Sequence, residues 1–172
     1  EYELWETLPN WPVQLMWHTP AGATIDRGTL VTDETGVTVG SLQVPAVPGG
    51  PGHRISLSPA SNPDQIIGSA SFEVLPRISP SSETVVPGQA ITLNLRGFAA
   101  RDVVRLRWRV GNGWVDLGTV TTSNSGSVTR YPVVVPINAD TGTIRVDGAI
   151  NAQSNAVTLD VATPPGGEAE PA

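Results

Sequence analysis

Val13-Gln14-Leu15-Met16-Trp17 and Val104-Arg105-Leu106-Arg107-Trp108 are two versions of one strand, 91 positions apart. In each, Val, Leu and Trp alternate with other side chains, the period of two that turns one strand face inward and the other outward. The correspondence spreads from there. Thr29-Leu30-Val31-Thr32 falls on Thr119-Val120-Thr121-Thr122, Gly36 on Gly126 and Pro45 on Pro136, at offsets of 90 to 91. The register then tightens, so that Phe72-Glu73-Val74 meets Leu159-Asp160-Val161 at 87. A period that long, made of short alternating runs, indicates two similar β-domains in tandem.

The second repeat reads more cleanly. Ile78 to Gly88 is an edge strand broken by Pro80 and Pro87. Ile91, Leu93 and Leu95 alternate with Thr92, Asn94 and Arg96, and Gly97-Phe98 closes that strand. Val104, Leu106, Trp108 and Val110 face inward on the next strand, with Arg105, Arg107 and Arg109 outward. Asn112-Gly113 signals a hairpin, and Gly118 a bulge in the strand from Trp114 to Thr121. Turns at Asn124-Ser125-Gly126 and Asp140-Thr141-Gly142 lead to the last two strands. Seven or eight short strands with a turn about every ten residues, and no helical stripe, point to an antiparallel sandwich.

These residues resemble a known type of module. Ile78-Ser79-Pro80, Pro87-Gly88, Ile91-Thr92-Leu93 and Gly97-Phe98 are similar to the opening of the bacterial and archaeal Ig-like modules of the IPT/TIG group. The later Gly126, Pro136 and Gly142-Thr143-Ile144 runs look like these modules too. The resemblance covers 77–163 well and 13–76 more loosely. It implies an Ig-like fold and a role as surface spacer, adhesin stalk or accessory domain, and brings no catalytic residues.

The same register puts Tyr2 on Leu93 and Leu4 on Leu95. Residues 2–5 are then the second strand of the first domain, and nothing upstream supplies its first. The expected fold is all-β: two tandem Ig-like antiparallel β-sandwiches, 1–76 and 77–163, the first lacking its opening strand, with a Pro/Gly-rich tail over 164–172. Pro76 and Pro80 at the junction favour a fairly rigid rod. A sandwich short of an edge strand leaves N–H and C=O groups unpaired. Either the chain is an excerpt of a longer one, as a first residue other than Met suggests, or a neighbouring molecule supplies the strand. The tail carries no large apolar residue and makes a poor donor.

Composition narrows the chemistry. The chain has no Cys and its ten basic residues are all Arg. Disulfides, thiolate and Schiff-base chemistry, Lys–Asn cross-links and a P-loop lysine are thereby excluded. No apolar run reaches the roughly 18 residues of a membrane span. Net charge is −6, placed unevenly. Residues 1–76 carry two Arg against eight acids, and residues 77–163 eight Arg against six. The overall sign argues against nucleic acid as a partner, and the asymmetry favours head-to-tail contact between copies.

Trp17 and Trp108 occupy equivalent inward positions, where an Ig-type sandwich places its core Trp. Trp5 aligns with outward Arg96 and Trp11 with Asp102; each has three readings, as packing over the gap, protein interface or glycan contact. Arg105, Arg107 and Arg109 form a positive stripe that would meet an acidic first repeat or an anionic polysaccharide, or simply solvate the sheet. His18 and His53 are isolated, and Asp33, Glu34 and Asp140 fit turns. No catalytic, cofactor or metal site is expected. The sequence therefore points to an extracellular or cell-surface structural subunit, bacterial or archaeal, that self-associates into a fibre or appendage. A carbohydrate-binding, adhesin or accessory module of a larger secreted protein is the rival.

Overall fold

The computed structural model describes residues 2–4, 7–150 and 153–162. Its fourteen strands include no helix among the described residues. Two compact units form, one of Glu1–Pro45 and Pro51–Val74, the other of Ala46–Gly50 and Leu75–Ala172. The second unit takes a short segment from inside the first repeat. Val47 is buried there, and the Gly49 N–H donates to the Phe98 carbonyl at 2.7 Å.

In the second unit β7 (Arg77–Pro80), β9 (Ala90–Arg96) and β12 (Val128–Val134) form one sheet, ordered β12-β9-β7. Strands β8 (Thr84–Val85), β10 (Val103–Val110), β11 (Gly113–Thr121), β13 (Gly142–Gly148) and β14 (Ser154–Val161) form the other, ordered β11-β10-β13-β14-β8. The alternation read from sequence is the alternation buried. Leu93 and Leu95 on one sheet and Val104, Leu106, Trp108, Ile144 and Val146 on the other are at 0 % exposure. They meet in one apolar core between the sheets. This is the sandwich the turn spacing predicts.

The first unit repeats the plan. Its sheets are β4-β1 and β3-β2-β5-β6, from β1 (Tyr2–Leu4), β2 (Pro12–His18), β3 (Thr24–Val31), β4 (Thr38–Gly40), β5 (Gly50–Pro59) and β6 (Gly68–Val74). Tyr2 pairs with Gly40 as Leu93 pairs with Tyr131, both 91 apart. Trp17 pairs with Ile55 as Trp108 pairs with Ile144.

The loop corners are duplicated as well. Thr32 Oγ1 donates to the Leu8 carbonyl at 2.6 Å and accepts from the Trp11 N–H at 2.9 Å. Thr122 Oγ1 does the same with the Ala99 carbonyl at 2.7 Å and the Asp102 N–H at 2.9 Å. Both threonines are buried. A hydroxyl that both donates and accepts satisfies two backbone groups that the strands leave unpaired. Asn10 and Arg101, each just before this corner, share a left-handed backbone, φ 52° and 55°.

One local expectation is corrected. The β10–β11 hairpin pairs Val110 with Gly113, so its two turn residues are Gly111-Asn112 rather than Asn112-Gly113. Gly111 takes the positive φ of 54° that the first turn position needs. Gly118 does mark a bulge, opposite the register shift at Leu106/Arg107. The corresponding shift in the first unit lies between Gln14 and Met16.

Candidate functional site

The two units differ most at one margin. In the second unit the segment 77–85 closes both sheets at once. Strand β7 runs antiparallel to β9, pairing Ile78 with Leu95 and Pro80 with Leu93. The chain then crosses over, and β8 runs parallel to β14, pairing Thr84 with Asp160 and Val85 with Val161. Ile78 and Val85 point into the core, 6 % and 1 % exposed. Pro80 is tolerated because its missing N–H falls on the outward side of this edge strand; the Ser81 N–H still donates to the Thr92 carbonyl at 2.8 Å before the chain crosses over.

In the first unit, β1 stands where β9 stands and β6 where β14 stands. Each ends its sheet, and no strand among the described residues occupies the places of β7 and β8. Among the described residues, β1 and β6 are thus the terminal strands of their sheets. The margin offers two rows of backbone donors and acceptors, from β1 and from β6, beside the core residue Val74. Pairing with an added strand is the chemistry such an edge performs.

The core behind this margin is thinner than its counterpart. Among the described residues, and prolines aside, the buried apolar side chains of the first unit are Val13, Leu15, Trp17 and Val74. A polar residue fills part of the space. Buried His53 stands where Gly142 stands in the second unit, and its Nδ1 accepts from Trp17 Nε1 at 3.2 Å. The indole only donates, so Nδ1 carries no proton. Phe72 meets Trp17 edge-on at a centroid distance of 4.7 Å and stacks on His53 at 6.0 Å. In the second unit Trp108 Nε1 donates instead to the Thr141 carbonyl, at 2.7 Å.

The residues singled out in the sequence scatter. Trp5 lies outside the described residues. Trp11 is half-buried just before β2, its backbone held by Thr32. Trp17 and Trp108 sit in the two cores. Arg105, Arg107 and Arg109 do line one face of β10, but two of them are paired. Arg105 meets Asp116 and Arg107 meets Asp147, each at 2.5 Å, and Arg145 shares Asp147 at 2.7 Å. Arg107 also lies 5.6 Å over the ring of half-exposed Trp114, while Arg109 donates to the Gly111 carbonyl. The hydrogen bond from Arg105 holds the Asp116 carboxyl below its ordinary range. Burial raises Asp147, but its bonds from Arg107 and Arg145 outweigh that and leave it lowered.

The turn acids behave as turn acids. Asp33 Oδ1 accepts from Thr35 Oγ1 and from the N–H groups of Thr35 and Val37, which lowers its pKa. Asp140 accepts from the Gly111 N–H and is lowered by it. No group of three or more His, Asp or Glu side chains able to hold a metal forms among the described residues.

Sequence reasoning passed over Asp102. It is fully buried, and its Oδ1 accepts from the Ala149 and Ile150 N–H groups at 3.0 Å each. Its counterpart Trp11 cannot make those bonds, so this clamp belongs to the second unit alone. A lone Asp before a strand carries no signal that separates it from a turn acid.

His18, at the end of β2, gives a pH dependence. Its Nε2 lies 2.7 Å from Ser56 Oγ and its Nδ1 3.2 Å from Thr24 Oγ1. Burial, and then the Arg54 charge, lower its pKa from 6.5. The folded state therefore favours the neutral ring, and the unfolded chain takes up its proton first as pH falls. Stability of the first unit should rise with pH across the window just below 6.5 and flatten above it. Urea midpoints measured across that window, with His18→Gln as control, check this; the control should lose the slope.

No protein-family model and no curated protein sequence matches this chain. Among solved structures it is similar to a tetra-tandem repeat from the extending region of a large adhesion protein. That match covers 90 % of this chain at 20 % identity, with a TM-score of 0.37. The chain spans 42 % of that structure's length.

Proposed function

We propose that the chain is a non-enzymatic structural module of an extracellular or cell-surface assembly, of the Ig-like IPT/TIG kind. It joins head to tail with its neighbours through the open margin of its first unit. The observation that carries this reading is that, among the described residues, β1 and β6 end the sheets of that unit where the second unit adds β7 and β8. Charge supports the direction of joining, since the acids dominate residues 1–76 and Arg slightly outnumbers them over residues 77–163. A role in scaffolding needs no catalytic constellation. Its chemistry is main-chain pairing plus burial of apolar surface, worth roughly 25 cal/mol per Å².

Two measurements on the 172-residue chain test it. Hydrogen exchange should run faster at the amides of β1 and β6 than at those of β9 and β14, by about tenfold or more for edges that open easily. Sedimentation should show head-to-tail association that weakens with added salt. A chain that stays monomeric at every concentration and salt, with β1 and β6 as protected as β9 and β14, overturns the proposal.

A further inference from the structure

A loop seated on a corner of the second unit has a duplicate, and so has the corner. Segment Ala46–Gly50 follows β4 and belongs to the second unit. It lies against the corner of Gly97, Phe98 and Gly126. Val47 is buried, and the Gly49 N–H donates to the Phe98 carbonyl at 2.7 Å. Pro48 approaches so closely that a Cβ on Gly126 would lie 3.1 Å from its Cα. The equivalent loop joins β12 to β13, where Pro136 matches Pro45 at the 91-residue offset. Its next residue, Ile137, is 86 % exposed, the most exposed large apolar side chain among the described residues. The equivalent corner is Thr7, Leu8 and Gly36. A Cβ on Gly36 would overlap the Thr7 carbonyl oxygen, as one on Gly126 would overlap that of Phe98. Here no loop N–H among the described residues donates to the Thr7 carbonyl, and Leu8 is 61 % exposed.

We infer that the Ile137 loop docks on the Thr7-Leu8 corner of a second copy of this chain. The contact is separate from strand pairing at β1 and β6 and does not depend on it. Both side chains are exposed, so each copy presents one free loop and one free corner. A single heterologous contact of this kind, repeated, builds a head-to-tail row in which donors and acceptors are equal in number.

The two versions of the contact differ in a compensated way. Gly49 has to be glycine, because a Cβ on it would overlap the Gly97 carbonyl oxygen. The loop of residues 136–141 has no glycine, so its backbone stands farther off and side chains fill the gap. Ile137 is one methylene longer than Val47, and Leu8 is larger than Ala99 at the matching position. The loop is also held in shape before it docks. The Ala139 N–H donates to the Pro136 carbonyl at 3.0 Å, and Asp140 Oδ1 accepts from the Gly111 N–H at 3.0 Å. Ile137 is thus presented on a fixed turn, and burying it costs little ordering.

The test follows the amide signals of the full chain by NMR from micromolar to millimolar protein. The signals of Ile137 and Asn138 are expected to move with concentration in step with those of Thr7, Leu8 and Gly36. Ile137→Asp and Leu8→Asp should each raise the midpoint concentration by about tenfold or more. Mixing the two variants supplies one intact loop and one intact corner. The shifts should then return at Ile137 of the Leu8→Asp chain and at Leu8 of the Ile137→Asp chain, and sedimentation should stop at dimers. Because the contact is apolar, the shifts should survive salt that weakens association driven by charge. Shifts at one surface without the other overturn the inference. So does an Ile137→Asp chain that associates as the parent does, or a mixture that restores nothing, and both leave strand pairing standing. Signals that stay still at millimolar concentration overturn this contact, while exchange at β1 and β6 decides the strand reading separately.

Discussion

Trp108→Ala is expected to cost the second unit about 3–5 kcal/mol, the range for deleting a fully buried aromatic side chain. Trp108 is at 0 % exposure at the centre of the apolar core, with Leu106 and Ile144 beside it in the same cluster. Its indole N–H also satisfies the Thr141 carbonyl. The substitution therefore opens a cavity and strands an acceptor together. Set against a typical domain stability of roughly 5–15 kcal/mol, that is a third or more of the total. Trp108→Phe separates the two effects: it keeps much of the volume but loses the hydrogen bond, and should cost about 1–3 kcal/mol. Urea unfolding followed by amide signals of each unit reads both. An unchanged midpoint for Trp108→Ala would remove Trp108 from the core.

Gly126→Ala is expected to destabilise the second unit by about 3 kcal/mol or more, through the backbone rather than the core. Gly126 has φ +67°, and a Cβ there would lie 1.8 Å from the Phe98 carbonyl oxygen. Neither side can yield cheaply. The Phe98 N–H donates to the Gly126 carbonyl at 3.1 Å, and the Gly126 N–H to the Ser123 carbonyl at 3.0 Å, so both peptides are held in place. The duplicate position makes the prediction sharper. Gly36 has φ +78° and its Cβ would meet the Thr7 carbonyl at 2.0 Å. Gly36→Ala should therefore destabilise the first unit and leave the second unchanged. Residue-resolved unfolding of the two variants checks this; a shift in the wrong unit, or none, would show that the corner does not govern the fold.

The joint design of the two units also bears on the open margin. Prolines aside, the second unit buries sixteen of the twenty described buried apolar side chains, and two of them, Ile78 and Val85, come from its opening segment. The first unit has no described counterpart to these two. It keeps the sandwich plan with a polar substitute, His53, in its core. A unit built this way gains most from an added strand, because the strand supplies apolar anchors as well as backbone partners.

Much of this was legible in the residues themselves. Strand alternation is local, so Val104, Leu106 and Trp108 announced their inward face without any knowledge of the partner strands. Turn glycines are local too, because a positive φ is a property of one residue, and Gly36 matched to Gly126 marked the same corner twice. Repetition then carried these local signals into a statement about architecture. Two β-rich units and the equivalent positions of their tryptophans followed from the 91-residue register. Tertiary structure alone decided the rest. It split 77–85 between two sheets, paired Arg105 with Asp116 and Arg107 with Asp147, and put Ala46–Gly50 in the second unit. It also set His53 rather than a carbonyl against Trp17. Each of these depends on which distant strands lie side by side and at what register. A one-residue bulge at Leu106/Arg107 is enough to change which aspartate an arginine meets, and no local pattern encodes that distance.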